Sequence, residues 1–294
     1  MNMSNPNMGR FVSFVLEREN IRLRRNAKVP QEHWTADEIL KLYRFCNVRR
    51  RDDRVSQWLL NNYYPQFKGG DVWFAAVPAR FFNWPPTLKH LMEKRAIPRR
   101  AGNYRPDTFL QALQSLPAKK KLFTGAYVIG GNRAFPGVEK ADFVARQIMV
   151  SFVQHAPFIR QTLQQNSIQA MVEFIRNNCY ATKEFMAGQI VADLTYLPGV
   201  LDEATDLYTW APRGPGSMHG LCRVLGLPLH GRFTSPDFCE ALVRLRLELI
   251  RANANLSDLT LHDVQNCLCE FDKYMRVVTG EGRPRSIYRP ETAY

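Results

Sequence analysis

Apolar residues recur every three to four positions along almost the whole chain, and this periodicity confines it to a mostly α fold. Thr35-Ala36-Asp37-Glu38 has the form of a capping box, after which Ile39, Leu42, Tyr43 and Cys46 follow at helical spacing. Val55, Trp58 and Leu59 mark a second helix, and Asp107 can cap one bearing Leu110 and Leu113. Longer amphipathic patterns predict helices over 140–165, 167–179 and 183–196. Ser235-Pro236 starts another, with proline at its first position, and carries Leu242, Leu245 and Leu249. The last covers 260–277, with Val264, Leu268, Phe271 and Met275 facing inward. Strand signals are few: 71–77 and 126–130 are short apolar runs that suit a strand or a buried helix equally. No repeat, low-complexity tract or long linker divides the 294 residues. One helical domain over 1–294 is expected, ending in an extended basic tail over 280–294.

Such a chain carries a net charge of +13, which attracts polyanions: DNA, RNA or an acidic membrane. Arg18, Arg22, Arg24, Arg25 and Lys28 crowd the start, and Arg49, Arg50, Arg51 and Arg54 follow. Arg283, Arg285 and Arg289 close the chain, and rings such as Tyr43, Trp58, Tyr63, Trp73 and Trp84 lie between the clusters. Alternating cations and rings suit a protein that holds phosphates and stacks bases. No apolar run nears the roughly 20 residues of a membrane span, and residues 1–14 lack the order of a secretory signal. A cytoplasmic protein without a membrane partner is expected. The six cysteines form no CxxC pair, so they read as core thiols rather than a zinc ribbon.

Several chemistries lack their residues. There is no GxxxxGK[ST] phosphate loop, no HExxH and no HxE…CxxC pattern, which excludes common nucleotide-kinase and zinc-hydrolase designs. Gly214-Pro215-Gly216 leads into an apparent helix, Met218 to Leu225. Backbone N–H groups at such a start can face a phosphate, as in a helix-hairpin-helix turn, and a plain helix connection capped by Ser217 is the alternative. From Arg44 to Trp58 the chain is more polar than a helix face requires. Asn47, Arg50, Asp53 and Arg54 share a face at three- to four-residue steps, where they can bind phosphate, read a base edge and accept a proton, or form solvated salt bridges. Near the end Glu270, Lys273 and Tyr274 fit one helix face, and Asp272 and Arg276 another.

The segments Phe11…Arg18-Glu-Asn-Ile-Arg22-Leu-Arg24, Trp34-Thr35 and Arg44 to Val55 resemble the phage family of thymine-hypermodification proteins. That family takes in the α-glutamyl/putrescinyl thymine pyrophosphorylases, or amino acid:DNA transferases, and the helical domain of 5-hydroxymethyluracil DNA kinases. The resemblance runs on through Phe123–Tyr127, Gln189–Leu194, Gly214-Pro-Gly216…Gly220-Leu221 and Glu270–Tyr274, nearly the whole chain. It implies a helical fold related to DNA glycosylases, with a helix-hairpin-helix-like turn. It also implies a transferase that replaces the phosphate or pyrophosphate on 5-phosphomethyl-deoxyuridine in double-stranded DNA with a small amine or amino acid, glycine among them. A glycosylase-like enzyme and a non-catalytic helical partner of the kinase are the alternatives.

On that resemblance Asn47, Arg50 and Arg54 meet the modified base and its phosphate. Asp193 and Asp272 lead as general bases, with Asp53 behind them because neighbouring arginines should lower its pKa. Gln189, Tyr127 and Lys273 are assigned to the substrate, and Gly216, Ser217 and Arg283 to the DNA backbone. Base flipping gives access to the methylene carbon. No metal or organic cofactor is required.

Overall fold

A computed structural model describes residues 6–117, 121–124, 139–284 and 286–288, which contain no β-strand. The α-helices run in the order α1 (Pro6–Asn26), α2 (Glu38–Leu42), α3 (Arg54–Trp58), α4 (Val72–Phe82), α5 (Pro85–Glu93), α6 (Pro106–Gln114) and α7 (Lys140–Phe143). There follow α8 (Met149–Gln154), α9 (Ala156–Leu163), α10 (Ile168–Asn178), α11 (Glu184–Leu194), α12 (Pro215–Leu225), α13 (Ser235–Ala252) and α14 (Leu261–Val278). They gather into two compact units. One joins the segment up to Asp53 to the segment from Leu207 onward, and Arg54–Asp206 forms the other. Among the described residues no helix is long and apolar enough to cross a membrane.

In the discontinuous unit α14 is the central helix. Thr260 and Asp263 cap its start reciprocally, and Val264, Leu268, Phe271 and Met275 are buried, as their spacing predicts. Phe11, Phe14 and Val15 form the buried face of α1, and Phe11 meets Phe271 edge to face at 5.4 Å. Helix α12 lies very close to α14. A Cβ on Gly220 would stand 2.1 Å from the Leu268 carbonyl oxygen, so only glycine permits this approach. The final described segment does not trail away: Arg44 donates to the Ser286 carbonyl at 3.1 Å and Tyr288 to that of Leu42 at 2.9 Å. Tyr43 and Ile287 thereby form an antiparallel bridge.

In the other unit α4 resolves the ambiguity of 71–77. The run is helical, and it is buried from Trp73 to Phe82 on every side, so no polar face marks its period. It stops at Asn83, which is left-handed with φ 46°. The run 126–130 lies outside the described residues. The pattern over 140–165 breaks into three helices and a wide turn, and Pro157 lies in the first turn of α9, after His155. Ser167 caps α10, and the Asp206 carboxylate accepts the N–H groups of Ile168 and Gln169.

Several caps fall elsewhere than predicted. Asp37, not Thr35, caps α2, accepting from Ile39 and Leu40, while the Thr35 hydroxyl accepts from Asp37. Thr234, not Ser235, caps α13. Asp107 lies in the first turn of α6, after the N-cap residue Arg105. For α2 and α13 a neighbouring side chain of similar chemistry has the extended backbone that capping needs, whereas Arg105 is extended but makes no side-chain cap bond.

Candidate functional site

Helix α2 ends at Leu42, so Tyr43 and Cys46 do not continue it and the polar segment after it is not a helix face. Arg50–Asp52 is a single 3₁₀ turn between Arg49 and Asp53, which are both extended. Side chains here replace the backbone ladder of a helix. The Asn47 N–H donates to Asp53 Oδ1 at 2.8 Å, and Asn47 Nδ2 to the Asp52 carbonyl at 2.7 Å. From α1, Arg18 Nε donates to the Cys46 carbonyl and Nη2 to that of Asn47, each at 3.1 Å. From α14, Glu270 Oε2 accepts the Cys46 N–H at 3.0 Å, and Asp263 Oδ1 accepts the Arg50 N–H at 2.9 Å. Arg49 pairs with Glu19 and Asp258. Two helices brace the segment.

Arg50 and Asp53 do come together. Arg50 Nε lies 3.3 Å from Asp53 Oδ2, and Arg50 Nη1 donates to Asn266 Oδ1 at 3.2 Å. The expected lowering of the Asp53 pKa is reversed. Burial pushes its carboxyl above the usual aspartate value, and the pull of Arg50 and the Asn47 N–H does not offset it. Asp263 is likewise raised by burial. Glu270 goes the other way: burial opposes its charge, but Lys273 and Arg18 outweigh that and hold its pKa below the usual glutamate value.

Beside this segment a groove opens along α1, enclosing about 570 Å³ with its mouth included. Trp34, Tyr43, Phe45 and Tyr288 supply its rings, and Arg18, Arg25 and Lys41 its cations; no carboxylate lines it among the described residues. Asn47 lines it too, whereas Arg50 faces Asp53 and Asn266.

The remaining predicted residues are dispersed. Asp272 is buried on α14, bonded to Arg223 at 2.8 Å with Arg276 at 3.3 Å. The same Arg223 hydrogen-bonds Glu281 and holds its pKa down to about 2. Lys273 reaches Glu270 Oε2 and the Arg44 carbonyl and lies over the Phe45 ring. Ser217 is fully buried. Its hydroxyl donates to the Gly214 carbonyl and accepts from Gly214 N–H and Gln265, so it locks the start of α12. Gly216 packs against Cys269, and Arg283 is exposed. Asp193, Gln189 and Arg54 belong to the other unit. There Asp193 is buried, with Arg80 Nε at 2.7 Å from Oδ2, Arg80 Nη2 on Oδ1 and the Tyr64 hydroxyl on Oδ2. Gln189 is buried and Arg54 exposed. Tyr127 lies outside the described residues.

Sequence reasoning gives no role to Arg18, Asp263 or Glu270. Their signal is a polar residue on an otherwise apolar helix face: Arg18 continues the Phe11, Phe14, Val15 stripe, and Asp263 and Glu270 flank Cys267. Cys46 and Cys269 are half-buried and the other four cysteines buried; burial pushes the Cys179 and Cys269 thiols up to about 12. They pack rather than react.

A chain with no strand among its described residues, whose basic segment is braced between its first and last long helices, defines a helical domain, distinct from the α/β folds that carry phosphate loops. The chain belongs to the family described as "5-hmdU DNA kinase, helical domain", whose model matches residues 5–283. That family ties it to modification of thymine-derived bases in DNA. No curated protein and no solved structure matches it significantly.

Proposed function

We propose that this chain is a transferase acting on phosphorylated 5-hydroxymethyluracil in double-stranded DNA. An amine nitrogen forms a bond to the 5-methylene carbon, and the carbon–oxygen bond to phosphate or pyrophosphate breaks, its electron pair leaving on the phosphate. The proton shed by nitrogen passes to a carboxylate. Asp53 is the base that the electrostatics favour, because its raised pKa suits proton acceptance while Arg50 beside it offers positive charge to the departing group. That pairing is the observation that carries the reading. Asp193 and Asp272 have their oxygens bound to arginines in buried networks. The donor is a small amine or amino acid, glycine included.

The test is incubation with duplex DNA bearing phosphomethyluracil and a panel of amines, followed by nucleoside mass spectrometry. A nucleoside that has lost phosphate and gained the amine is expected. Unchanged mass with every donor overturns the reading, and an abasic site would instead make the chain a glycosylase. The family description, a helical domain of a kinase, favours one second reading: a non-catalytic partner that presents DNA to the kinase. Under that reading the DNA is bound, no product forms, and adding the chain speeds phosphorylation by the kinase.

A further inference from the structure

The groove beside α1 has a composition that the polar segment does not explain. Among the described residues three cations and four rings line it without one carboxylate, and although Lys41 pairs with Glu38 at 2.7 Å, the groove's field favours an anion and its walls favour a flat ring. Trp34 is fixed at one edge, its Nε1 donating to the Val29 carbonyl at 2.7 Å, while Tyr288 meets it edge to face at 5.9 Å. The bridge between Tyr43 and Ile287 holds Tyr288 in place beside Trp34. Arg25 makes one side-chain hydrogen bond among the described residues, a long one of 3.5 Å to Asn47 Oδ1. A better acceptor would displace it readily. Arg18, by contrast, is spent on the Cys46 and Asn47 carbonyls.

We propose that this groove receives a pyrimidine base carrying a phosphate, with its ring against Trp34 and Tyr288, its phosphate on Arg25 and its N3–H on Asn47 Oδ1. The proposal rests on the function argued above, which supplies the phosphate; Arg25 holds the phosphate in the bound complex, and Arg50 keeps its role beside Asp53 in the transfer step. A charged arginine on a phosphate, released from a weak internal bond, accounts for about tenfold or more in affinity. The base reaches the groove either everted from a duplex or as a free nucleotide, and the two sources share this chemistry.

Equilibrium binding tests it without turnover, by anisotropy with duplexes containing phosphomethyluracil or thymine and by Trp34 fluorescence with the free phosphomethyl nucleoside. Wild type should prefer the phosphorylated duplex by about tenfold. Arg25→Gln should bring that ratio to about one while leaving the thermal melt unchanged. Tyr288→Ala should lower the ratio, and Trp34→Phe should remove the fluorescence change. A free nucleoside that binds with the same Arg25 dependence also supports the groove and identifies the source as a nucleotide. Arg25→Gln and Tyr288→Ala variants that keep the wild-type ratio overturn the proposal, and if they still transfer amines the proposed function survives. A ratio that depends on Arg25, without transfer from any donor, upholds the groove and removes the transferase reading.

Discussion

Cys46 and Glu270, 224 positions apart, meet in a hydrogen bond of 3.0 Å from the Cys46 N–H to Glu270 Oε2. Through it, the two most distinctive blocks of the sequence become one structure. Glu270 also stands beside the buried charge of Arg18 and bonds Lys273. Removing it as Glu270→Ala should cost about 3–5 kcal/mol, the usual consequence of leaving buried cations without their anion. Glu270→Gln keeps an acceptor for Cys46 and should cost less. Urea denaturation of both variants checks the order; equal stability of Glu270→Ala and wild type would remove the brace.

Asp53 and Glu270 give opposite pH dependences. The folded pKa of Glu270 is below its unfolded value, so its contribution is present above the ordinary glutamate value and fades as pH falls through the folded pKa. Asp53 has a raised folded pKa; its charge costs stability above that pKa, and the cost vanishes as pH drops below the ordinary aspartate value. Acidification should therefore change the two contributions in opposite senses, relieving Asp53 and weakening Glu270, and Asp53→Asn should remove the part that rises. Carboxyl carbon NMR titration should place Asp53 above, and Glu270 below, the usual values.

The Arg80–Asp193 pair should behave as structure. Asp193→Ala leaves Arg80 buried without an anion and should cost about 3–5 kcal/mol, whereas Arg80→Met with Asp193→Leu should recover most of that loss. Calorimetry on the single and double variants decides. A double variant that melts like wild type yet transfers no amine would return Asp193 to the catalytic list.

Gly220 is a steric requirement. Gly220→Ala sets a methyl group against the Leu268 carbonyl and should destabilise the discontinuous unit by about 1–3 kcal/mol through overpacking. A thermal melt no lower than wild type would mean that α12 and α14 separate without cost.

Two arginines separate chemistry from binding. Arg50→Ala should lower single-turnover transfer by about 100-fold or more and leave plain-duplex affinity nearly intact. Exposed Arg283, as Arg283→Ala, should weaken binding to every duplex and reduce the log–log salt slope by about one, sparing the rate at saturating DNA. Normal turnover by Arg50→Ala would relocate the chemistry.

The helices were legible because their polar faces repeat. Val264, Leu268, Phe271 and Met275 could be assigned inward from spacing alone, and the 71–77 run could not, since α4 has no polar face. The segment around Asn47 misled for a different reason. Its three- to four-residue spacing imitates a helix, but the partners that hold it extended, Arg18, Asp263 and Glu270, come from distant sequence. The Asp53 shift was hidden likewise: nearby arginines are visible in a sequence, and burial is not.

The bridge between Tyr43 and Ile287, with the Cys46–Glu270 bond beside it, has a consequence for how the protein is made. On a ribosome, Cys46 emerges 224 residues before Glu270, a delay of roughly 10–45 s at about 5–20 residues per second. Over that interval the arginine-rich stretch has neither its carboxylate anchor nor Tyr288 beside it, and late in it, once Asp206 has emerged, the segment Arg54–Asp206 is complete. Vectorial synthesis therefore delivers the inserted unit first and leaves a nascent cationic arm exposed to cellular polyanions. A stall before residue 270 would prolong exactly that exposure.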